Sequence, residues 1–492
     1  MKLRKLIKDI PIEKIWGFKD VDITGVCADS KRIAPGNLFI AKKGRRHHGS
    51  SFLNEAVAAG AVAVVTDIYD PNFPDIVQLI HSNVPSIEGE IAARYHQYPS
   101  QDLFMVGITG TNGKTTTSYL IKHLLDKLES CGLIGTIEYL IGNHQYVPTH
   151  TTPDVSTNQK MLHEMVLEGC KSAVMEVTSI AMDQKRVDCI DYDVAIYTNL
   201  TPEHLDYHVT MEEYCEAKNK FFRSLNNQRK KHGFPKTAIV NIDDPWYSKM
   251  LEGCSVPMLT YGIDTPCDLQ AVNIKLSTKG TSFDLKYQGN TYPFSWPMIG
   301  RFNIYNGLAA IAVGLIRGIP FDQIAQVLKT FSAVPGRLQS VPNHLGLKIY
   351  VDFAHKEHAL RNVLKTLREF RKKRIITVFG CGGDRDRAKR PKMAQAVEEY
   401  SDVCIVTSDN PRTEDPMSIC NEITTGFKQP PIVEVDRYKA IEQAINMAQE
   451  DDVILIAGKG HERFQIFAHR TIEFDDCKVA AEICAKKEKK GH

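Results

Sequence analysis

The run Gly110-Thr111-Asn112-Gly113-Lys114-Thr115-Thr116 restricts what this chain can fold into more than any other feature. It follows an apolar stretch at 103–109 and precedes apolar residues at helical spacing, Leu120, Ile121, Leu124, Leu125 and Leu128. A glycine-rich turn between a strand and a helix points backbone N–H groups and the helix N-terminus at phosphate oxygens. Because Ile108 replaces the first glycine of the longer G-x-x-x-x-G-K-[ST] pattern, this is a shorter G-x-x-G-K-T form. The run predicts a nucleotide-binding parallel sheet, with Lys114 reaching the phosphates and the Thr115 hydroxyl reaching magnesium.

The chain is long enough for about three domains at roughly 150 residues each. We place them at 1–98, 99–334 and 335–492, with a linker at Tyr98–Gln101 and a solvated basic tail at Lys486–Gly491. A helix is predicted from Asn306 to Arg317. In the third block strands alternate with helical segments, which indicates a parallel sheet. The expected fold class is therefore α/β with three domains, a central nucleotide-binding sheet and a C-terminal Rossmann-like domain.

Composition restricts partners and compartment. The formal net charge of only +2 argues against a general nucleic-acid binder, whose domain would carry a clear basic excess. The 12 cysteines include no C-x-x-C pair, which favours reduced thiols and a cytoplasmic location. The longest apolar run, Ala56–Val65, is too short to span a membrane. We therefore expect small-molecule substrates, no nucleic acid, no membrane span and a monomer.

Polar, glycine-rich segments begin where predicted strands end, at Gly110, Gly380, Asp409 and Gly458. In open α/β sheets, ligands bind at the carboxyl ends of the strands. Three of these four segments lie in the third block. That block is therefore predicted to be a substrate domain with at least three loops lining its site.

Together with the phosphate loop, the other motifs resemble the Mur ligases, the ATP-dependent amide-bond formers of peptidoglycan precursor synthesis. The matching segments extend from Asp29-Ser30 to Gly458–Glu462, nearly the whole chain. They include Thr151-Thr152-Pro153, Met175-Glu176-Val177, Thr198-Asn199-Leu200, His204-Leu205-Asp206, Lys218, Gly300–Asn306, Pro335-Gly336-Arg337, Asp352–His355, Gly380–Asp386 and Asp409–Arg412.

The resemblance implies a ligase that adds meso-diaminopimelate to UDP-MurNAc-L-Ala-D-Glu through an acyl phosphate, with ATP as co-substrate and Mg²⁺ as cofactor. It implies Lys114, Lys218 and His204 as catalytic residues, and Thr115, Glu176 and His204 as magnesium ligands. Lys218 is expected to be carbamylated, to N6-carboxylysine. ATP is expected to bind at Gly110, Thr111, Asn112, Gly113, Lys114, Thr115, Thr116, Asn303 and Arg337. Asp243 is also expected on the ATP side.

The resemblance also assigns the two remaining substrates. The UDP-sugar-peptide is expected at Ala28, Ser30, Arg45, Arg46, His47, His150, Thr151, Thr152, Thr178, Gln184 and Arg186. Diaminopimelate is expected at Arg385, Asp409, Asn410, Pro411, Arg412, Gly458 and Glu462. Diaminopimelate carries a second carboxylate that lysine lacks, and arginine binds carboxylates through two parallel hydrogen bonds. Arg412 and Arg385 therefore supply the chemistry that distinguishes the two amino acids.

Some positions depart from the family pattern. Thr178 replaces serine and Glu203 replaces aspartate, which preserves a hydroxyl and a charge. His150 replaces asparagine and Ile180 replaces histidine, while the pair Glu357-His358 replaces a proline and an acidic or amide residue. Ile180 and Glu357-His358 leave local contacts open, but none of the departures removes a phosphate- or metal-handling group.

Other interpretations are open at this stage. A folate polyglutamylating ligase shares the phosphate loop, although Asp409–Arg412 and the first block speak against it. A P-loop ATPase that couples hydrolysis to binding or movement is a second alternative. The spacing of His204 and His208 suggests zinc, but the H-E-x-x-H glutamate is absent. Gly380–Gly383 lacks the full G-x-G-x-x-G spacing of a dinucleotide-binding oxidoreductase.

Overall fold

A computed structural model describes residues 1–44, 48–227, 231, 235–277 and 280–490. Contacts between Cα atoms divide the chain into two compact units. The first comprises 1–272, 285–292 and 305–328, and the second 273–284, 293–304 and 329–492. Among the described residues, no helix is both long and apolar enough to cross a membrane.

The N-terminal part of the first unit is a five-stranded sheet packed against short helices. Its elements are α1 (Leu3–Leu6), β1 (Lys14–Trp16), β2 (Gly25–Cys27), β3 (Asn37–Ala41), α2 (Leu53–Ala58), β4 (Ala63–Thr66), β5 (Val77–Ile80) and α3 (Val84–Tyr95). The strand order is β1-β5-β4-β3-β2, and only the β1–β5 pair is antiparallel. The inner strands β3 and β4 are fully buried, as expected for apolar runs covered on both faces.

The central part is a largely parallel sheet built around the strand that precedes the phosphate loop. Its elements are β6 (Phe104–Thr109), α4 (Lys114–Leu125), β7 (Cys131–Ile134), β8 (Tyr139–Ile141), β9 (His144–Tyr146), α5 (Val155–Leu167), β10 (Ser172–Glu176), α6 (Ser179–Asp183), β11 (Val194–Tyr197), α7 (Leu205–His208), α8 (Met211–Ser224), β12 (Thr237–Asn241), α9 (Tyr247–Met250) and β13 (Met258–Gly262). The order is β13-β12-β11-β6-β10-β7-β8-β9. Strand β6 lies between β11 and β10, and all three are parallel, so their carboxyl ends meet beside the loop.

The segment that follows is divided between the two units. It contains β14 (Leu269–Ser277), β15 (Gly280–Tyr287), β16 (Asn290–Trp296), α10 (Arg301–Ile316) and α11 (Phe321–Lys329). The three strands are neighbours in chain order. Helix α10 begins five residues before the predicted Asn306, because Gly300, at φ +91°, turns the chain into the helix.

The C-terminal part of the second unit is a six-stranded sheet of order β17-β18-β22-β19-β20-β21, plus a two-stranded pair. Its elements are β17 (Gln339–Ser340), β18 (Lys348–Asp352), α12 (Glu357–Phe370), β19 (Ile375–Phe379), α13 (Lys389–Tyr400), β20 (Val403–Val406), α14 (Pro416–Thr424), β21 (Ile432–Val433), α15 (Arg437–Met447), β22 (Val453–Ala457), β23 (Phe464–Ile466), β24 (Thr471–Glu473) and α16 (Asp476–Lys490). Alternate residues of β19 belong to separate apolar cores: Ile375 and Phe379 to one, Ile376 and Val378 to the other. Helices therefore cover both faces of this sheet, as in Rossmann-like folds.

Two segments predicted to be a linker and a solvated tail are more regular in the structure than their sequences indicate. The predicted linker contains a 3₁₀ turn at Pro99–Gln101, and Ser100 is fully buried with its hydroxyl oxygen accepting a hydrogen bond from Asp191 N. The predicted basic tail is helical to Lys490, and the Lys487 amine donates to the Ile445 carbonyl at 2.8 Å. Both segments are polar in sequence, but tertiary contacts order them.

Candidate functional site

The phosphate loop lies between β6 and α4, as predicted. Gly110 and Gly113 have φ of +142° and +86°, which glycine adopts without strain. The Lys114 amine donates to the carbonyl oxygens of Gly110 and Thr111, each at 2.8 Å, and so lies across the mouth of the loop. Thr115 and Thr116 are buried at the N-terminus of α4. This end of the helix offers the backbone donors and favourable dipole that an anionic phosphate requires.

The segment after β11 holds this loop from one side. Thr198 Oγ1 donates to Asn112 O at 2.7 Å, and the Asn199 side chain bonds the same residue through both its amide nitrogen and its oxygen. A Cβ on Gly110 would lie 1.9 Å from Thr198 Oγ1, so only glycine fits there. The segment Thr198-Asn199-Leu200, which matches the family pattern, thus holds the phosphate loop in place.

Glu176 ends β10, and its carboxylate accepts three hydrogen bonds beside the loop. It is fully buried, and its oxygens accept from the Thr115 hydroxyl at 3.1 Å, the Thr136 hydroxyl at 2.9 Å and the Thr136 backbone N–H at 2.9 Å. The parallel register that pairs Glu176 with Ile108 places this carboxylate level with the start of the loop. Two of the three predicted magnesium ligands, Thr115 and Glu176, are therefore in contact.

Lys218 on α8 is buried beneath the loop. Its amine donates to Gly110 O at 3.0 Å and lies 4.7 Å from the centre of the Tyr214 ring. Burial, with a smaller contribution from the positive charge of Lys114, lowers the pKa of the Lys218 amine well below its usual value. A lysine on a helix is usually solvated, but Lys218 is buried with its amine at the phosphate loop.

The third predicted magnesium ligand, His204, lies near the same tyrosine. Its ring centroid is 6.2 Å from that of Tyr214, and the Tyr214 hydroxyl lies 3.2 Å from Thr111 Oγ1 in the loop. His208 instead bonds Ser179 Oγ at 2.9 Å through Nε2. Within the described part of the chain, no group of three or more His, Cys, Asp or Glu residues is arranged to hold a metal ion.

The residues expected at the peptide end of the nucleotide-sugar form a connected network. Arg186 Nη1 donates to Thr152 O at 2.9 Å, and its other nitrogens donate to Gln184 Oε1. Thr152 Oγ1 donates to Glu176 O at 2.7 Å and lies 3.3 Å from the Thr178 hydroxyl. Thr151 contacts Thr136 through their hydroxyls at 3.2 Å, while the His150 backbone bonds the Tyr139 hydroxyl. This network meets the phosphate loop at Glu176.

The residues expected at the nucleotide end are only partly described. Ser30 is buried and its hydroxyl donates to Glu55 Oε2 at 2.7 Å, while Ala28 packs against the core of the N-terminal sheet. Arg45, Arg46 and His47 lie outside the described residues.

Three further residues were expected on the ATP side. In the first unit, both oxygens of Asp243 accept hydrogen bonds from the 263–265 turn, and one also accepts from Tyr305, which lowers the pKa of Asp243 despite its partial burial. In the second unit, Asn303 is buried with its amide on Ile299 O, and the Arg337 guanidinium carbon lies 5.0 Å from the centre of the Phe353 ring. Asp243 is thus held by the 263–265 turn and by Tyr305, and Arg337 belongs to a cluster of rings. Their contacts with ATP stay predictions.

That ring cluster contains two histidines. Phe353 packs against His355 and His461, with ring centroids 4.6 and 4.9 Å away. Burial lowers the pKa of each histidine to about 4, and Arg337 contributes at His461. Both rings are therefore neutral at neutral pH.

The residues expected at the amino-acid site converge at the carboxyl ends of β19, β20 and β22. Asn410 Nδ2 donates to Glu462 Oε2 at 2.7 Å, and the fully buried Lys459 amine donates to Asn410 Oδ1 and Glu462 Oε2, each at 3.2 Å. A Cβ on Gly458 would lie 2.8 Å from Asp409 Oδ2. Asp409, Asn410, Gly458 and Glu462 thus form one acidic and amide cluster, which adjoins the two arginines.

Arg385 and Arg412 both lie beside Gly382. A Cβ on this glycine would be 2.8 Å from Arg412 Nη1 and 3.9 Å from Arg385 Cγ. Arg412 Nη1 donates to Gly383 O at 2.8 Å. Pro411 is buried, and its carbonyl oxygen would be 1.9 Å from a Cβ on Gly383, so the two loops pack tightly. The site therefore has a cationic part next to an acidic part.

Sequence reasoning missed the residues that support the two sites: Thr136, Tyr214, Arg390 and Lys459. Thr136 stands in a segment with no polar motif, and Tyr214 lies four residues before Lys218 with no contact predicted for it, so only the fold reveals their roles. Lys459 lies within the Gly458–Glu462 match, where its position between two glycines was a usable signal. Arg390 follows the Gly380–Asp386 match, and its burial was not predictable from a segment as charged as 384–390.

Comparison with known proteins gives consistent results for the whole chain. Residues 22–97 match the Mur ligase family catalytic domain, 108–314 the Mur ligase middle domain and 336–460 the Mur ligase glutamate ligase domain. The chain belongs to the Mur ligase family, and its fold is the three-domain α/β fold of that family.

Similar proteins match over nearly their full length. A UDP-N-acetylmuramoyl-L-alanyl-D-glutamate–2,6-diaminopimelate ligase from Chlamydia felis (strain Fe/C-56) is 43% identical over 490 residues, 98% of this chain and 99% of the relative. A ligase of the same name from Caldanaerobacter subterraneus subsp. tengcongensis is 40% identical, covering 99% of this chain and 100% of the relative. A solved structure of a ligase of that name has a TM-score of 0.71 at 30% identity and covers 99% of both chains.

Proposed function

We propose that this protein is an ATP-dependent amide-bond ligase that adds meso-diaminopimelate to UDP-MurNAc-L-Ala-D-Glu in peptidoglycan precursor synthesis. The observation that carries the proposal is the pair Arg385 and Arg412 beside the acidic and amide cluster that includes Asp409 and Glu462. An amino acid with two carboxylates and two ammonium groups requires cationic partners for the carboxylates and acidic or amide partners for the ammonium groups. The names of the full-length relatives support the same substrate.

The ATP phosphates are proposed to bind the loop Gly110–Thr116. The Lys114 amine, now bonded to two loop carbonyls, is placed to exchange one of them for a phosphate oxygen. Neutralising the phosphates lets the substrate carboxylate approach, because two anions otherwise repel. Asp243, Asn303 and Arg337 remain proposed ATP contacts.

Mg²⁺ is the cofactor we propose, and the donor set fits it. The Thr115 hydroxyl and the buried Glu176 carboxylate are oxygen ligands of the kind that magnesium prefers, and they already touch. His204 is a proposed third ligand or catalytic contact. When bound, Mg²⁺ would neutralise phosphate charge. Thr136, which donates to both Glu176 oxygens, would keep that carboxylate oriented.

The proposed reaction has two steps. The substrate carboxylate attacks the γ-phosphorus of ATP, giving an acyl phosphate and ADP. The neutral amine of diaminopimelate then attacks the acyl carbon, the new C–N bond forms, and inorganic phosphate leaves as the amine loses a proton. The roles of Lys114 and the loop N–H groups are to hold and neutralise the phosphates in the first step.

Lys218 is proposed to carry a carbamate. A neutral amine attacks CO₂ to form R–NH–COO⁻ and releases one proton, so a low pKa favours the reaction. The lowered pKa of the buried Lys218 amine supports this, as does its position 3.0 Å from Gly110 O. The modification would replace a cation beneath the phosphate loop with an anion, which suits a nearby metal ion better.

The UDP-sugar-peptide is proposed to bind Ala28 and Ser30 at its nucleotide end and the network of His150, Thr151, Thr152, Thr178, Gln184 and Arg186 at its peptide end. That network reaches Glu176 through Thr152. Arg45, Arg46 and His47 stay predictions. We also propose domain boundaries at 1–98, 99–334 and 335–492, a monomer and a cytoplasmic location, the last supported by twelve free cysteines.

The test is phosphate release with ATP and UDP-MurNAc-L-Ala-D-Glu, comparing meso-diaminopimelate, L-lysine and no amino acid. We expect release that requires the nucleotide-sugar peptide and meso-diaminopimelate together. Release with lysine at equal efficiency would overturn the amino-acid assignment. Release without either acceptor would favour the ATPase alternative, and release with a folate and glutamate would favour the folate ligase.

A further inference from the structure

The two arginines of the amino-acid site belong to separate loops. Arg385 is in the loop after β19 and Arg412 in the loop after β20, and an atom of each side chain lies within 4 Å of where a Cβ on Gly382 would stand. Two guanidinium groups that are to bind one substrate carboxylate would repel each other, so bringing them together needs fixed countercharges and rigid loops. The structure contains a buried arginine with acidic partners that joins the two loops.

This arginine is Arg390 on α13. Its side chain is 0% exposed and donates to both oxygens of Glu414 at 2.9 and 3.0 Å, and to Glu422 Oε2 at 2.7 Å. Arg390 Nη2 also lies 3.5 Å from the Gly382 carbonyl oxygen. Glu414 follows Arg412 by two residues, and Gly382 precedes Arg385 by three. One guanidinium therefore contacts both arginine-bearing loops.

Direct bonds between the loops complete the connection. Glu414 Oε1 accepts from the Asp384 backbone N–H at 2.6 Å, and Thr413 Oγ1 donates to Asp384 Oδ1 at 2.6 Å. The Gly383 backbone N–H donates to Asn410 O at 2.9 Å. The Arg390 and Arg387 guanidinium groups hold the pKa of Glu414 at about 2, so this carboxylate stays ionised through the pH range of an assay.

We propose that Arg390 is a positioning residue that fixes the spacing between Arg385 and Arg412 and thereby sets the preference for an acceptor with a second carboxylate. The proposal rests on the proposed function, because it takes diaminopimelate as the acceptor. Arg390 is buried under the loops and acts through Glu414 and the Gly382 carbonyl. A lysine cannot reproduce its fork, because an ammonium does not form paired, coplanar bonds with a carboxylate.

The test compares Arg390→Lys with Arg374→Lys. Arg374 also bonds a buried carboxylate, Asp452 at 2.6 Å, but lies at the amino end of β19, away from the site. For Arg390→Lys we expect the KM for meso-diaminopimelate to rise about tenfold or more, with kcat at saturation and the KM for ATP within about twofold. Arg374→Lys should leave all three constants within about twofold.

A double-mutant cycle with Arg412→Ala separates positioning from general damage. If Arg390 acts through Arg412, the two substitutions are non-additive, and Arg390→Lys has little further effect on the KM once Arg412 is alanine. Additive effects, or an unchanged KM in Arg390→Lys, would overturn the proposal. Should Arg390→Lys fail to fold, Glu422→Gln removes one countercharge at a partly exposed position and is expected to raise the same KM by about threefold. A wild-type protein that does not use meso-diaminopimelate would instead refute the proposed function.

Discussion

The hydroxyl of Thr115 donates to a carboxylate oxygen of Glu176 across 3.1 Å, and both side chains are buried. Thr115 lies in the first turn of α4, and Glu176 is the last residue of the neighbouring parallel strand β10. Two residues separated by 61 positions in sequence thus meet because parallel strands bring their carboxyl ends to one edge of the sheet.

Replacing this carboxylate tests the magnesium proposal. Glu176→Gln keeps the size of the side chain but removes its charge, so we expect the Mg²⁺ concentration for half-maximal phosphate release to rise about tenfold or more. Magnesium titrations at saturating ATP measure it. Glu168→Gln, an exposed carboxylate just after α5, serves as the control. An unchanged magnesium dependence in Glu176→Gln would remove this residue from the metal site.

Lys218 is tested by labelling. With ¹³C-bicarbonate, we expect a protein carbamate signal in NMR spectra that disappears in Lys218→Met, together with a loss of phosphate release of about a hundredfold or more. Activity should also fall when CO₂ is depleted. Lys220→Met, an exposed lysine on the same helix, should retain both the signal and the activity. A signal that survives in Lys218→Met would place the carbamate elsewhere.

Arg412 is tested by acceptor kinetics. Arg412→Ala removes a guanidinium from the cationic part of the site, so the KM for meso-diaminopimelate should rise about a hundredfold, while the KM for ATP stays within about twofold. Steady-state phosphate release measures both. Arg470→Ala, an exposed arginine after β23, should change neither. Unaltered diaminopimelate kinetics in Arg412→Ala would contradict the assignment.

The pH dependence of stability tests the buried His96. Burial, and then the nearby His163 with its ring centroid 5.4 Å away, lower the pKa of His96 to about 4 from an ordinary 6.5. Because the unfolded chain binds this proton more tightly, the stability contributed by neutral His96 is complete above about pH 6.5 and is lost as pH falls towards about pH 4.

We therefore expect His96→Gln to reduce the difference in unfolding free energy between about pH 7 and about pH 5 by roughly 2 kcal/mol. Denaturant titrations at the two pH values measure this difference. His469→Gln, at an exposed position, should leave it unchanged. An equal pH dependence in wild type and His96→Gln would show that this histidine is not responsible.

Local sequence predicted the parts of the fold that depend on neighbouring residues. The phosphate loop, the strands around it and the site loops after β19, β20 and β22 follow from apolar runs that end in glycine or acidic residues. The family to which the motifs point is confirmed by the comparisons. The roles of the individual site residues stay predictions.

Contacts between segments distant in the chain could not be predicted from the local sequence. Tyr214 touches the loop only because α8 packs beside it, and Arg390 is buried only because two acidic side chains reach it from α14 and the segment before it. Pro99 and its neighbours are typical of a linker, yet the hydroxyl oxygen of Ser100 accepts a hydrogen bond from a backbone N–H 91 positions away. A polar residue gives no local sign of a partner that the tertiary fold supplies.

The glycines at 336 and 460 have a consequence for transplanting parts of this protein. A Cβ on Gly336 would lie 2.2 Å from His461 N, and one on Gly460 would lie 2.6 Å from Phe353 Cβ. The three segments can approach this closely only because glycine has no Cβ at positions 336 and 460. A chimera that takes the 458–462 loop from a relative would also have to take the 335–337 turn and the segment around Phe353. These three segments are in close contact and must be exchanged together.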